Sequence, residues 1–189
     1  MFQCFFPDCY MRSAYEIDYM ELYKKGCRGI IFDIDNTLVE HGAPADERSR
    51  ALIKELKAMG YRILFLSNNK EPRVRLFNDA VQAEYIFKAG KPKRAGYQKA
   101  MEIMHTGKSE TLFVGDQLFT DVWGARRTGI YSILVQPINK KEEIQIVLKR
   151  CLEKIVLRAY KRDCKKKGRP FLTEKKSECE RNGYKNEGS

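Results

Sequence analysis

The segment that most constrains this chain is Gly29-Ile30-Ile31-Phe32 running straight into Asp33-Ile34-Asp35-Asn36-Thr37-Leu38. A short apolar run bounded by polar residues reads as a buried strand. Two carboxylates one residue apart at its C-terminal end repel each other, and a bound cation or a raised pKa has to offset that repulsion. In open α/β sheets these strand ends are also where ligands bind. With Mg²⁺ present, Asp33 can stay ionised and attack phosphorus as a nucleophile, and Asp35 can deliver and remove protons. An exposed acidic turn after a strand has the same spacing, so the pair does not decide the matter alone.

Three later segments decide it. Ile63-Leu64-Phe65-Leu66 is a second apolar strand and ends in Ser67-Asn68-Asn69. Lys91 follows in Gly90-Lys91-Pro92-Lys93, a loop fixed by Gly and Pro. Thr111-Leu112-Phe113-Val114 then runs into Gly115-Asp116, with Asp121 five residues on. Each polar group stands where a strand stops. Together they supply a nucleophile, a hydroxyl donor, a lysine for phosphate charge and further carboxylates for a metal, which is what phosphoryl transfer requires.

That order resembles the haloacid dehalogenase superfamily of aspartate-nucleophile phosphotransferases. The finer matches are Phe32-Asp33-Ile34-Asp35-Asn36-Thr37-Leu38-Val39, Leu66-Ser67-Asn68-Asn69 and Gly115-Asp116-Gln117-Leu118-Phe119-Thr120-Asp121, and they resemble its subfamily IIIA. Within it the chain looks most like the branch of YqeG-like phosphatidylglycerophosphate phosphatases, to which Pro7-Asp8-Cys9-Tyr10 and Ile17-Asp18 also point. The likeness covers roughly residues 5 to 137 and implies Mg²⁺ as cofactor, with the Asp35 backbone carbonyl facing the ion beside Asp33 and Asp116.

The middle of the chain alternates strand-like and helix-like segments, the pattern of a parallel sheet covered by helices. A helix is expected over 46–59, stopped by Gly60; another over 72–81 with Pro72 in its first turn; then 94–104 and 121–128. Strands are expected at 29–32, 63–66, 85–87, 111–114 and 131–135. The expected fold is therefore α/β, a doubly wound (Rossmann-like) parallel sheet of about five strands. The gaps from Asp35 to Ser67 and from Ser67 to Lys91 each hold just one crossover unit. Enzymes of this superfamily often carry a cap domain at one of these points, and here neither gap has room for one. An uncapped site is open to solvent and favours a bulky or surface-presented substrate.

Three parts follow: a phosphatase domain at 1–140, an amphipathic helix at 141–164 and a basic, largely disordered tail at 165–189. The formal charge of +11 is uneven, with a net +8 in residues 140–189 and +3 before them. In the expected helix Ile144, Val147, Leu148, Cys151, Leu152, Ile155 and Ala159 recur at helical spacing among lysines and arginines. That stripe either docks on the sheet domain or, with the Lys/Arg cluster at 161–169, rests on an anionic membrane, each basic residue contributing about 1 kcal/mol there. Phe2, Phe5 and Phe6 could insert as a second anchor. A polybasic tail also suits non-specific RNA binding. No apolar run is long enough to span a bilayer, and the N-terminus lacks the basic region of a signal peptide. The expectation is a cytoplasmic protein, peripheral on the inner membrane face. The six cysteines show no CxxC spacing and there are only two histidines, so reduced thiols are expected and no zinc set.

The expected roles are then as follows. Asp33 is nucleophile and metal ligand, Asp35 the general acid/base, and Asp116 a further metal contact. Asp121 either joins the metal site or caps a helix and orients Lys91. Ser67 and Asn68 bind the phosphoryl group, and Lys91 neutralises its charge and steadies Asp33. Asn36 and Thr37 shape the loop. Arg126 and Arg127 read as a solvated helix face rather than a second phosphate contact, and His41 and His105 receive no role. The function expected is phosphomonoester hydrolysis through an aspartyl-phosphate, with phosphatidylglycerophosphate as the substrate that the resemblance implies. The alternatives are a phosphatase of soluble phosphosugars or nucleic-acid ends, and a non-catalytic membrane- or RNA-binding module.

Overall fold

The computed structural model describes residues 2–139 and 144–172. Six strands form one parallel sheet in the order β1-β6-β5-β2-β3-β4. They are β1 (Cys9–Met11), β2 (Gly29–Phe32), β3 (Arg62–Leu66), β4 (Glu84–Ile86), β5 (Thr111–Gly115) and β6 (Tyr131–Val135). Helices α1 (Tyr19–Lys24), α2 (Glu47–Ala58), α3 (Glu71–Asn78), α4 (Arg94–Met104), α5 (Trp123–Thr128) and α6 (Ile144–Lys166) complete the fold. The α/β class and parallel sheet are as expected. The sixth strand, β1, is an addition at the edge, where Cys9, Tyr10 and Met11 pair with Ile133, Leu134 and Val135. Cys9-Tyr10-Met11 holds no β-branched residue, which is why the segment does not read as a strand.

Because side chains alternate along a strand, each central strand feeds two cores. Ile30, Phe32, Ile63, Phe65, Leu112 and Val114 face one way, against Tyr19 and Leu22 of α1, Leu52, Ile53 and Leu56 of α2, and Val74 and Phe77 of α3. Ile31, Leu64, Leu66 and Phe113 face the other, against Tyr97, Ala100, Met101 and Met104 of α4 and Ala125 of α5. Burial on both faces explains why these strands are continuous apolar runs. Helix starts follow local chemistry: Asp46 caps α2 by accepting from Ser49 N at 2.7 Å, and Asp18 caps α1 through Glu21 N at 3.0 Å.

The C-terminal helix departs from expectation in two ways. It runs on to Lys166 rather than ending at Cys164, and Phe171 beyond it packs on Tyr10 and Tyr160. The tail boundary expected at 165 therefore falls inside packed structure, while residues 140–143 and 173–189 of the expected helix and tail lie outside the described residues. Over 152–166, where its side chains are described, its docked face is also not the expected stripe, whose members at 144, 147, 148 and 151 lie outside the described side chains. Glu153, Val156, Tyr160 and Cys164 are buried, Val156 against Leu118, Val122 and Leu134 and Tyr160 against Phe6, whereas Leu152 and Ile155 are about half exposed. Both faces carry apolar residues, and hydrophobic spacing alone could not choose between them. Phe5 packs on Phe119 and Trp123, and Phe6 on Tyr160, so these two rings are used within the fold and are not free to anchor a membrane. Phe2 stays exposed. Among the described residues no helix is long and apolar enough to cross a membrane.

Candidate active site

The chain runs β2-β3-β4 outward in one direction, then returns to lay β5 on the other side of β2. The crevice between the C-terminal ends of β2 and β5 is the topological switch point, where ligands bind in such sheets. Register puts Phe32 beside Val114, so Asp33 and Asp116 emerge next to each other. Asp33 N donates to Val114 O at 2.9 Å, which fixes the nucleophile's backbone to β5. Carboxylate oxygens of Asp33, Asp116 and Asp121 come within 4.8 Å of one another, and all three residues are buried.

Asp121 reaches this cluster from a π-helical turn, Leu118–Val122, that leads into α5. The turn is packed tightly under its neighbours. A Cβ built on Gly115 would lie 2.5 Å from Asp121 Oδ2, so only glycine lets the carboxylate sit there. Tyr97 of α4 donates its hydroxyl to Thr120 O at 2.8 Å and packs directly against Gly124. Asp121 Oδ2 accepts from Gln117 N at 3.1 Å. Lys91 Nζ donates to Asp33 Oδ1 at 2.7 Å and to Asp121 Oδ1 at 2.8 Å, bridging the two carboxylates. Asp121 thus lies in the acidic cluster and holds Lys91.

Asp35 points elsewhere. Its carboxylate lies outside the three-residue cluster and accepts from Arg73 Nε and Nη2 at 3.0 and 2.8 Å, Gly42 N at 2.8 Å and Asn69 Nδ2 at 2.8 Å. His41 Nδ1 stands 3.8 Å away. Ser67, buried at the end of β3, accepts from Asn69 N at 3.1 Å. Asn68, expected to bind substrate, is exposed and pairs its amide with the Lys91 backbone, Oδ1 accepting from Lys91 N at 2.7 Å and Nδ2 donating to Lys91 O at 3.2 Å, which leaves a second N–H and a second lone pair on the amide. Its side chain positions the lysine. Asn36 adopts φ 60 and carries the tight loop, its N donating to Val39 O at 2.7 Å, while the Thr37 hydroxyl reaches Asp116 Oδ1 at 3.4 Å. Arg126 and Arg127 lie on an exposed helix face, where Arg126 pairs with Asp8, which also accepts from Ser132 N and Oγ, and Arg127 lies over the Trp123 ring.

Three buried carboxylates face one buried ammonium. Burial pushes the Asp33 carboxyl up to about 7; Lys91 pulls it down, and Asp121 and Asp35 push it further up. Burial alone would lower Lys91, but Asp121 and Asp33 outweigh it and raise its pKa, keeping it charged. The cluster therefore holds uncompensated negative charge in a donor set made of oxygens, which suits a hard divalent cation and not zinc. A raised folded-state pKa contributes stability in full below the ordinary value of 3.8, and that contribution is lost as pH rises towards about 7. Chelator-treated protein should accordingly lose melting temperature relative to an Asp33→Asn variant between about pH 4 and pH 7, by roughly 5 °C or more. Adding a divalent cation should restore it in the wild type. Parallel pH profiles of the two proteins would disprove the charge imbalance.

Three site residues escape a reading of the sequence: Asn69, Arg73 and Tyr97. Asn69 adjoins a motif residue, which is a usable signal. The others reach the site only through tertiary packing of α3 and α4, and their sequence neighbourhoods are those of ordinary helix residues.

A family model described as haloacid dehalogenase-like hydrolase matches residues 42–129. The chain is 36% identical over 159 residues to "Probable phosphatase YqeG" of Bacillus subtilis (strain 168), covering 84% of this chain and 92% of that protein. It is 31% identical over 168 residues to "Phosphatidylglycerophosphate phosphatase 1, chloroplastic/mitochondrial" of Arabidopsis thaliana, covering 82% of this chain and 48% of that longer protein. Among solved structures, the core domain of "a putative phosphoglycolate phosphatase" from Streptococcus pneumoniae TIGR4 superposes with a TM-score of 0.46 at 16% identity, covering 67% of this chain and 96% of that one.

Proposed function

The chain belongs to the haloacid dehalogenase-like hydrolases and is a phosphatase, and from that premise we propose that it is a Mg²⁺-dependent phosphomonoesterase working through an aspartyl-phosphate on Asp33. The observation that carries this is the buried cluster of Asp33, Asp116 and Asp121 at the switch point, bridged by Lys91. Asp33, Asp116 and the Asp35 backbone carbonyl would hold Mg²⁺, whose positive charge serves to keep Asp33 ionised and to draw charge from phosphoryl oxygens. Asp121, with its oxygens engaged by Lys91 and Gln117 N, sets the lysine.

In the first half-reaction an Asp33 carboxylate oxygen bonds to phosphorus and the bond from phosphorus to the alcohol oxygen breaks. Asp35 gives that oxygen its proton. To do so its carboxylate must release at least one of the donors that Arg73, Gly42 and Asn69 provide. Ser67 and Lys91 contact the transferred phosphoryl group and stabilise its charge. In the second, water attacks the same phosphorus and gives its proton to Asp35, the bond from Asp33 to phosphorus breaks, and inorganic phosphate leaves.

The substrate we propose is phosphatidylglycerophosphate, hydrolysed to phosphatidylglycerol at a cytoplasmic membrane surface. Two things support it. One is the named activity of the Arabidopsis relative. The other is the access: among the described residues, Asp35 to Ser67 holds only a loop, α2 and β3, so no cap covers the strand ends. The outer side of α6 supports presentation at a membrane, with exposed Leu152 and Ile155 beside exposed Lys154, Arg158, Arg162 and Lys165. Turnover of phosphatidylglycerophosphate in mixed micelles should exceed that of a panel of soluble phosphosugars and nucleotides by at least about 10²-fold in kcat/KM, a difference of roughly 3 kcal/mol. Preference for a soluble phosphomonoester would overturn the substrate while leaving the chemistry standing.

The membrane face can be tested apart from the chemistry. A Leu152→Gln, Ile155→Gln double variant should bind phosphatidylglycerol-containing vesicles about 10-fold more weakly or worse, because inserting each side chain is worth roughly 1.5–3 kcal/mol. Its hydrolysis of a soluble aryl phosphate should be unchanged. Equal co-sedimentation of the two proteins would remove α6 from the membrane account.

A further inference from the structure

We propose that Glu153 is a positioning residue for the metal loop, which makes the C-terminal helix part of the catalytic apparatus rather than an appendage to it. This rests on the reading of Asp116 as a metal ligand. The π-helical turn Leu118–Val122 begins two residues after Asp116 and ends one residue after Asp121, so its register sets the distance between those carboxylates. A helical turn starts with N–H groups that have no partner within it, and a side chain at the preceding residue usually supplies one. Here Gln117 makes no such cap. The Leu118 N–H donates instead to Glu153 Oε1 at 2.8 Å, a buried bond spanning 35 residues of sequence.

A carboxylate 5% exposed is costly to bury, and apolar side chains would dock α6 more cheaply at that position. Its neighbours on the docked face, Val156, Tyr160 and Cys164, do that packing. The acceptor on Glu153 performs a task that they cannot. With Tyr97 of α4 holding Thr120 O from the other side, the turn is clamped at both ends: α4 takes a carbonyl near its end and α6 takes the N–H at its start. Partners in the outer shell of metal sites typically alter metal affinity by about 10–100-fold when removed.

Three variants separate this from simple packing. Glu153→Gln keeps an acceptor of the same reach. Glu153→Asp keeps the charge but withdraws the acceptor by one methylene. Cys164→Ala weakens the docking of α6 at a buried position about three turns away from the cap and outside the cluster that contacts the turn. Mg²⁺ affinity is read by calorimetry, and the exchange rate of the Leu118 amide by NMR in chelator. The Asp variant should bind Mg²⁺ at least about 10-fold more weakly and exchange the Leu118 amide at least about 10-fold faster, as expected for loss of a hydrogen bond to a charged group. The Gln variant should stay within about 3-fold of wild type on both measures. Cys164→Ala should lower the melting temperature and leave Mg²⁺ affinity alone. Wild-type Mg²⁺ affinity and Leu118 exchange in the Asp variant would overturn the assignment, as would a Gln variant as impaired as Asp. Should wild-type protein fail to bind Mg²⁺, the metal reading falls, and the Leu118 exchange rates still decide whether Glu153 holds the turn.

Discussion

Replacing Asp33 by Asn is expected to lower hydrolysis of an aryl phosphate by about 10⁴-fold or more, the scale seen when a nucleophile is removed. The change takes away the attacking oxygen and one of the three clustered carboxylates at almost no cost in volume. Because Asp33 is buried and repelled by its acidic neighbours, the variant should be as stable as the wild type or more so in chelator above about pH 7. Loss of activity with gain of stability separates a chemical role from a structural one. Wild-type turnover in the variant, or full wild-type activity in chelator, would contradict the mechanism.

Asp35→Asn is expected to cost about 10²–10⁴-fold in kcat, the range for a lost general acid/base. Mg²⁺ affinity should change little, because the Asp35 carboxylate stands outside the acidic cluster and accepts instead from Arg73, Gly42 and Asn69. Calorimetric Mg²⁺ titration beside steady-state kinetics checks both halves. A fall in metal affinity matching the fall in rate would mean that the two carboxylates have been assigned the wrong way round.

The site's reacting groups were legible because each lies at the end of an apolar strand, and a strand end is a local feature of the sequence. Asp33, Ser67, Lys91 and Asp116 emerge where β2, β3, β4 and β5 stop or just beyond. What could not be read is how side chains divide their hydrogen bonds. Asn68 stands in the motif that suggested a substrate contact, and its amide also holds the Lys91 backbone. Arg73 holds Asp35 from the first turns of α3, and Glu153 caps a turn 35 residues earlier in the chain. Such contacts depend on which helix face packs inward. For α6 that choice went to Val156, Tyr160 and Cys164 over Leu152 and Ile155, and both sets have helical spacing. Edge strand β1 and helix α1 were missed for a different reason: Cys9-Tyr10-Met11 holds no β-branched residue, and the apolar residues of Tyr19–Lys24 do not keep to one stripe, Tyr19 and Leu22 being buried and Met20 exposed.

The most direct test of the covalent mechanism is to trap the acyl phosphate. Wild-type protein is mixed with substrate and Mg²⁺ and quenched in acid during the first turnover. Borohydride reduction then converts any aspartyl-phosphate to homoserine, which is located by peptide mass spectrometry. Homoserine at position 33, absent without substrate and absent from the Asp33→Asn variant, is the expected result. Turnover with no modified residue at position 33, or with the modification at Asp35 or Asp116, would contradict it.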